Sequence, residues 1–163
     1  MKACLGRSFS FSMFCAAQVA TDLEPGYFLW RHRYPVHRWA HTYVGAVGVG
    51  ILTALVATPL LRAIGRRWRA SADLPFRRWL VADTLSWRTA ILSALIGTLS
   101  HVWLDSIMHG DARPLRPFTD ANVMLGLVSV PTLHVLCVGA GIVSLLYLRF
   151  TRPRGPAPGE VKE

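Results

Sequence analysis

The residues of this sequence that could do chemistry are histidines and carboxylates at four-residue spacing. His101, Asp105 and His109 are four apart, and His37 and His41 repeat the interval. Residues four apart share one face of an α-helix, so each set projects its side chains in one direction. Asp22 and Glu24 add two carboxylates within Asp-Leu-Glu-Pro, where Pro25 is expected to help end the preceding helix. Five of the six histidines (His32, His37, His41, His101, His109) and five of the nine acids (Asp22, Glu24, Asp105, Asp111, Asp120) fall in or beside these stretches. A lone histidine at a membrane surface is ordinarily a hydrogen-bonding group, and Asp105 alone would pair with an arginine such as Arg38. A triplet and a pair in helical register instead resemble the way helix bundles build metal sites. His32 stands outside the register and is expected only to line the site.

Imidazole and carboxylate without a nearby thiolate suit zinc, manganese or iron, and disfavour copper(I) or an iron–sulfur cluster. The ligands outnumber the needs of one tetrahedral ion, so one or two divalent ions are expected. Such centres hydrolyse phosphate esters with a metal-activated water, and Asp105 or Glu24 would serve as ligand or general base. Arg31, Arg33, Arg38, Arg113 and Arg116 lie in loops beside the cluster. Guanidinium binds phosphate well, and Arg38, Arg113 and Arg116 are the expected substrate clamp.

The elements that must position these groups are membrane helices. The chain has 163 residues, 52% of them hydrophobic and only 17% charged, yet its formal net charge is +9. Disorder of the whole chain is excluded by that hydrophobicity. A basic nucleic-acid module would spread its charges over the surface, whereas here long stretches carry none. Residues 42–61 and 123–148 hold no Asp, Glu, Lys or Arg, and 89–104 hold none either, with apolar character running on to Met108. Each is near the roughly 20 residues needed to cross a bilayer. A fourth, shorter segment at 8–20 reads as a tilted or partly inserted helix. It is read as a retained helix in preference to a cleaved signal peptide, because Gln18-Val19-Ala20 makes a poor cleavage site. The expected fold is therefore all-α. It is an integral membrane bundle of about four transmembrane helices over residues 1–150, followed by a disordered cytoplasmic tail at 151–163.

Four crossings place 13 of the 18 basic residues on one side, namely those at the N-terminus, in the loop from Arg62 to Arg88, and from Arg149 onward. The positive-inside rule makes that side cytoplasmic, with both termini, and puts the His/Asp cluster on the extracytoplasmic side. The charge is thus mostly a topology signal, and no nucleic-acid partner is expected. Membrane lipids and a phosphorylated or lipid-linked substrate are the expected partners. Residues 73–87 are read as a short interfacial helix in the cytoplasmic loop, with Asp73 as N-cap and Pro75 in its first turn. Ala46 with Gly50, Ser93 with Gly97, and Ala140 with Ser144 offer small faces for close helix packing. His134 is read as a buried packing residue beside a kink at Pro131. Cys4, Cys15 and Cys137 show no ligand or disulfide spacing and read as small apolar residues.

The ordered set D-L-E-P at 22–25, H-R-W-A-H-T at 37–42, H-V-W-L-D at 101–105, His109-Gly110 and a loop to Pro117-Phe118 resembles the metal-dependent hydrolases of bacterial inner membranes. These are related to the LexA-regulated membrane-bound hydrolases and more distantly to zinc-dependent phospholipase C. The resemblance spans about residues 9–120. It implies metal ligation by Asp22, His37, His41, His101 and Asp105, with Glu24 and His109 as further members. Two other readings stand beside a membrane hydrolase. One is a haem-binding electron carrier, which would not need Asp22, Glu24, Asp105 and Asp111. The other is a scaffold or transport subunit with a polar His/Asp network.

Overall fold

The computed structural model describes residues 9–69 and 85–150. The described chain is all-helical, with four helices: α1 (Phe11–Trp30), α2 (Tyr43–Arg69), α3 (Trp87–Met108) and α4 (Val130–Phe150). Three of them, α2, α3 and α4, are long and apolar enough to cross a membrane. Of the expected interfacial helix at 73–87 only 85–87 are described, with Ser86 capping α3 and Trp87 opening it; the rest, and the tail from 151, lie outside the described residues.

Helices α1, α2 and α3 pack pairwise into a compact three-helix unit. Small residues make this possible. Ala46, Ala54, Ala90 and Ala94 are fully buried. A methyl built on Gly97 would sit 2.9 Å from Ala17 Cβ, and one on Gly50 would sit 3.0 Å from Leu95 Cδ2. In lipid the gain comes from such close backbone approach, since apolar residues on the outer face lose nothing by meeting acyl chains. Val19, Leu52, Val56 and Leu92 accordingly face outward. Ser10 caps α1 by accepting from the Met13 N–H, and its own N–H donates to Ser93 Oγ at 2.8 Å, tying the start of α1 to α3.

Five expectations need correction. Pro25 does not end α1, which continues to Trp30. The proline removes only one N–H, and the helix instead stops at His32, whose φ of 51° places it in the left-handed region. The Arg33 N–H then donates to Phe28 O, and the His32 N–H to Leu29 O, which closes the helix end. The fourth helix starts at Val130 and not at Val123. Gly126, with φ of 74°, makes a turn, and Ser129 accepts from the Thr132 N–H to begin the helix. Pro131 thus sits in the first turn, where it needs no partner, and makes no kink. His134 is exposed there and its Nδ1 donates to Val130 O at 2.7 Å. Finally, α4 is the least buried of the membrane-length helices, with Leu133 as its one buried residue among those described. The small pair Ala140 and Ser144 is therefore exposed, whereas Ala46–Gly50 and Ser93–Gly97 lie at helix contacts.

Candidate metal centre

The C-terminal half of α1, the segment leading into α2 and the C-terminal end of α3 meet at one end of the three-helix unit. They bring Asp22, His37, His41, His101, Asp105 and His109 together. At the centre is Asp105, on the inner face of α3 and only 8% exposed. Its Oδ2 lies 3.1 Å from His41 Nε2, 3.2 Å from His101 Nε2 and 3.8 Å from His37 Nε2. Asp22 Oδ1 is 3.1 Å from His101 Nε2. Asp105 is thus met by imidazoles and not by Arg38, whose Nε donates to Pro35 O while its guanidinium lies over the Phe28 ring.

Each imidazole is oriented through its other nitrogen. His37 Nδ1 donates to Asp111 Oδ1 at 2.8 Å, and His101 Nδ1 donates to Gln18 Oε1 at 2.6 Å. His41 Nδ1 faces Glu24 Oε2 at 3.8 Å. For His37 and His101, whose Nδ1 donates, Nε2 carries the lone pair aimed inward, which is how ligating histidines are usually held. His41 is fully buried, yet neither of its nitrogens makes a hydrogen bond, and neither does His101 Nε2. Their short approaches to Asp105 therefore lack hydrogen-bond geometry. Donor atoms converging on a common point without bonding one another fit a cation between them. Asp22, His41, His101 and Asp105 could hold a metal ion, as could His37, Asp105 and His109, with the donor atoms of each group within 4.8 Å of one another.

Electrostatics of the groups outside the helices follow from these contacts. Burial would depress the His41 pKa, but Asp105 and Glu24 outweigh it and push it up to about 9. For His37 burial prevails over the nearby Asp111 and holds the ring below the usual histidine value. Burial works to raise Asp111, yet hydrogen bonds from the His37 ring and from the His37 and Val36 N–H groups keep it below the ordinary carboxylate range.

Glu24 takes a different place from a ligand. It lies in neither group, and its carboxylate accepts the N–H groups of Arg38, Trp39 and Ala40 at 2.9–3.2 Å. This pins the segment that carries His37 and His41. Gly45 pins it from the other side. Trp39 O lies where a Gly45 Cβ would be, 1.7 Å away, and that carbonyl accepts from the Thr42 N–H and hydroxyl. Beyond the site, the 110–128 loop folds back on α3, where the Gly126 N–H donates to Ile107 O and Asn122 Nδ2 to Ser106 O.

The expected clamp residues divide. Arg38 and Arg116, with Pro35 and Trp39, line a cavity of about 340 Å³. Arg116 is also paired with Asp120. Arg113 donates instead to the carbonyls of Gly110 and Ala112. His32 is exposed and serves the end of α1. The sequence singles out neither Gln18 nor Gly45, and it sets Asp111 among the acids of the cluster without a role. Gln18 had a signal, as a polar amide one helical turn before Asp22 within an apolar stretch. Asp111 lies two residues past His109, but nothing local tied it to His37. Gly45 looks like any small residue of a membrane helix.

Among known proteins, the model of a family described only as a domain of unknown function, DUF4184, matches residues 5–156. No curated protein and no solved structure matches the chain.

Proposed function

We propose that this chain, which belongs to the DUF4184 family, is a membrane-embedded hydrolase of a phosphoester that depends on a divalent ion, most fittingly zinc. The observation that carries the reading is the convergence of three imidazoles from two structural elements on buried Asp105, with inward nitrogens left without hydrogen bonds. It agrees with the resemblance to the metal-dependent hydrolases of bacterial inner membranes. A divalent ion held there would supply Lewis-acid polarisation of a phosphoryl oxygen and an acidified water. Asp22, His41, His101 and Asp105 would hold one ion, and His37 and His109 offer further donors beside Asp105. Gln18 and Asp111 orient the imidazoles, and Glu24 fixes the loop that carries two of them. Arg38 and Arg116 bind the phosphate beside the site.

Exposed Tyr27, Trp30, Tyr34, Trp39 and Trp103 surround this end of the helices. Aromatic residues of that kind gather at the membrane–water interface, which favours a lipid-linked substrate. The positive-inside rule puts the site on the extracytoplasmic side. The test is hydrolysis of a soluble aryl phosphodiester and of phospholipid in mixed micelles by the purified chain. Turnover of at least one is expected, lost on chelation, restored by Zn²⁺, and absent in His41→Ala. Turnover that survives in His41→Ala, or none with either phosphoester, sinks the reading.

A further inference from the structure

We infer that the centre is built for two ions bridged by Asp105, and that the second position, formed by His37, Asp105 and His109, is the one left open for a substrate or water. The inference rests on the metal-dependent reading above. His37 is only 8% exposed, and its Nδ1 hydrogen is committed to Asp111. Its Nε2 lone pair therefore faces Asp105 Oδ2 at 3.8 Å, too far for a hydrogen bond and directed at another acceptor. Two lone pairs meeting in a buried site are unfavourable unless a cation lies between them. The His109 ring stacks on His37 with centroids 4.3 Å apart and an interplanar angle of 27°, which adds a third donor on the same side. The two groups intersect only at Asp105. A carboxylate has about four lone-pair sites and so serves two ions, which an imidazole nitrogen does not.

The groups differ in number. Asp22, His41, His101 and Asp105 make four protein ligands, the closed set of a structural tetrahedral ion. His37, Asp105 and His109 make three, the set that keeps a position for water or substrate. On this assignment the first ion holds α1, α2 and α3 together, and the second does the chemistry.

The experiment counts ions. The full chain in detergent is stripped, reloaded with Zn²⁺, freed of excess and analysed for zinc per protein. Two ions are expected in the wild type and one in His109→Gln, with helical circular dichroism unchanged. Loading with Mn²⁺ is expected to give the paramagnetic resonance of an exchange-coupled pair in the wild type only. One ion in the wild type, two retained in a folded His109→Gln, or an uncoupled Mn²⁺ signal overturns the second position and leaves the first standing. No ion at all overturns both. The wild-type count decides the matter even if the variant does not fold.

Discussion

Replacing Gly45 by alanine tests whether the loop carrying His37 and His41 is held by a close backbone contact. The new methyl would lie 1.7 Å from Trp39 O and 2.6 Å from Trp39 C, both backbone atoms that no rotamer change can move. Ordinary contact begins near 3.4 Å, so the Trp39 carbonyl or the first turn of α2 must give way by about 1.7 Å. Trp39 is held by its N–H to Glu24 and by the Thr42 N–H and hydroxyl on its carbonyl. Losing one charge-assisted and two ordinary hydrogen bonds costs about 3–5 kcal/mol. His41, two residues on, would leave its position 3.1 Å from Asp105, and zinc affinity should fall on the order of 100-fold. Gly48 provides the control, because a Cβ there meets nothing within 4 Å. Gly48→Ala should be neutral or stabilising by up to about 1 kcal/mol through helix propensity. The assays are denaturant unfolding in micelles followed by circular dichroism, and zinc competition against a chromophoric chelator. If Gly45→Ala and Gly48→Ala behave alike in both, the close contact does not position the site.

Zinc affinity should depend on pH through His41, because an ion must displace the proton that Asp105 and Glu24 hold there up to about pH 9. From pH 7 to 9 the affinity should rise about tenfold per unit, roughly 2.7 kcal/mol in all, and then level off; chelator competition that is flat across this window would refute it. In the metal-free protein the same raised pKa gives stability that is complete below about pH 6.5 and lost as pH rises through about 9, measurable as a falling unfolding midpoint. Gln18→Leu removes the acceptor of His101 Nδ1 at similar volume, and should lower zinc affinity about 10–100-fold without loss of helix. Gln18→Glu, which keeps an acceptor, should retain it. Asp111→Ala strands the Val36 and His37 N–H groups and should cost about 1–3 kcal/mol of stability, read by the same denaturant titration.

The neighbourhood of His101 and Asp105 was legible from spacing, because α3 is regular through Met108, and the apolar lengths of α2 and α3 follow from the bilayer they suit. The expected helical register fails elsewhere: His109 caps α3 in extended backbone, and His37 and His41 lie in turns before α2, so folding of these segments and not a shared helix face brings them to Asp105. What spacing misses is non-local. Glu24 reads as a ligand beside Asp22, but its neighbours are three backbone N–H groups of residues 38–40, which no local pattern reveals. Pro25 reads as a helix end, yet a helix tolerates the loss of one N–H when packing at Met13, Ala17 and Thr21 holds it. The apolar run from Val123 does not distinguish loop from helix, and Gly126 and Ser129 decide where α4 begins. Arg38, Arg113 and Arg116 look equivalent by composition, and only the fold shows that Arg113 Nη1 donates to the carbonyls of Gly110 and Ala112 while Arg38 and Arg116 line a cavity.

Whether Asp105 and the imidazoles around it ligate a metal is read directly by X-ray absorption at the zinc edge of the reloaded full chain. Imidazole nitrogen and carboxylate oxygen at about 2.0–2.2 Å with no sulfur are expected around the ion, and that spectrum should be lost in Asp105→Ala. Sulfur near 2.3 Å, or the same zinc environment in wild type and Asp105→Ala, would contradict it.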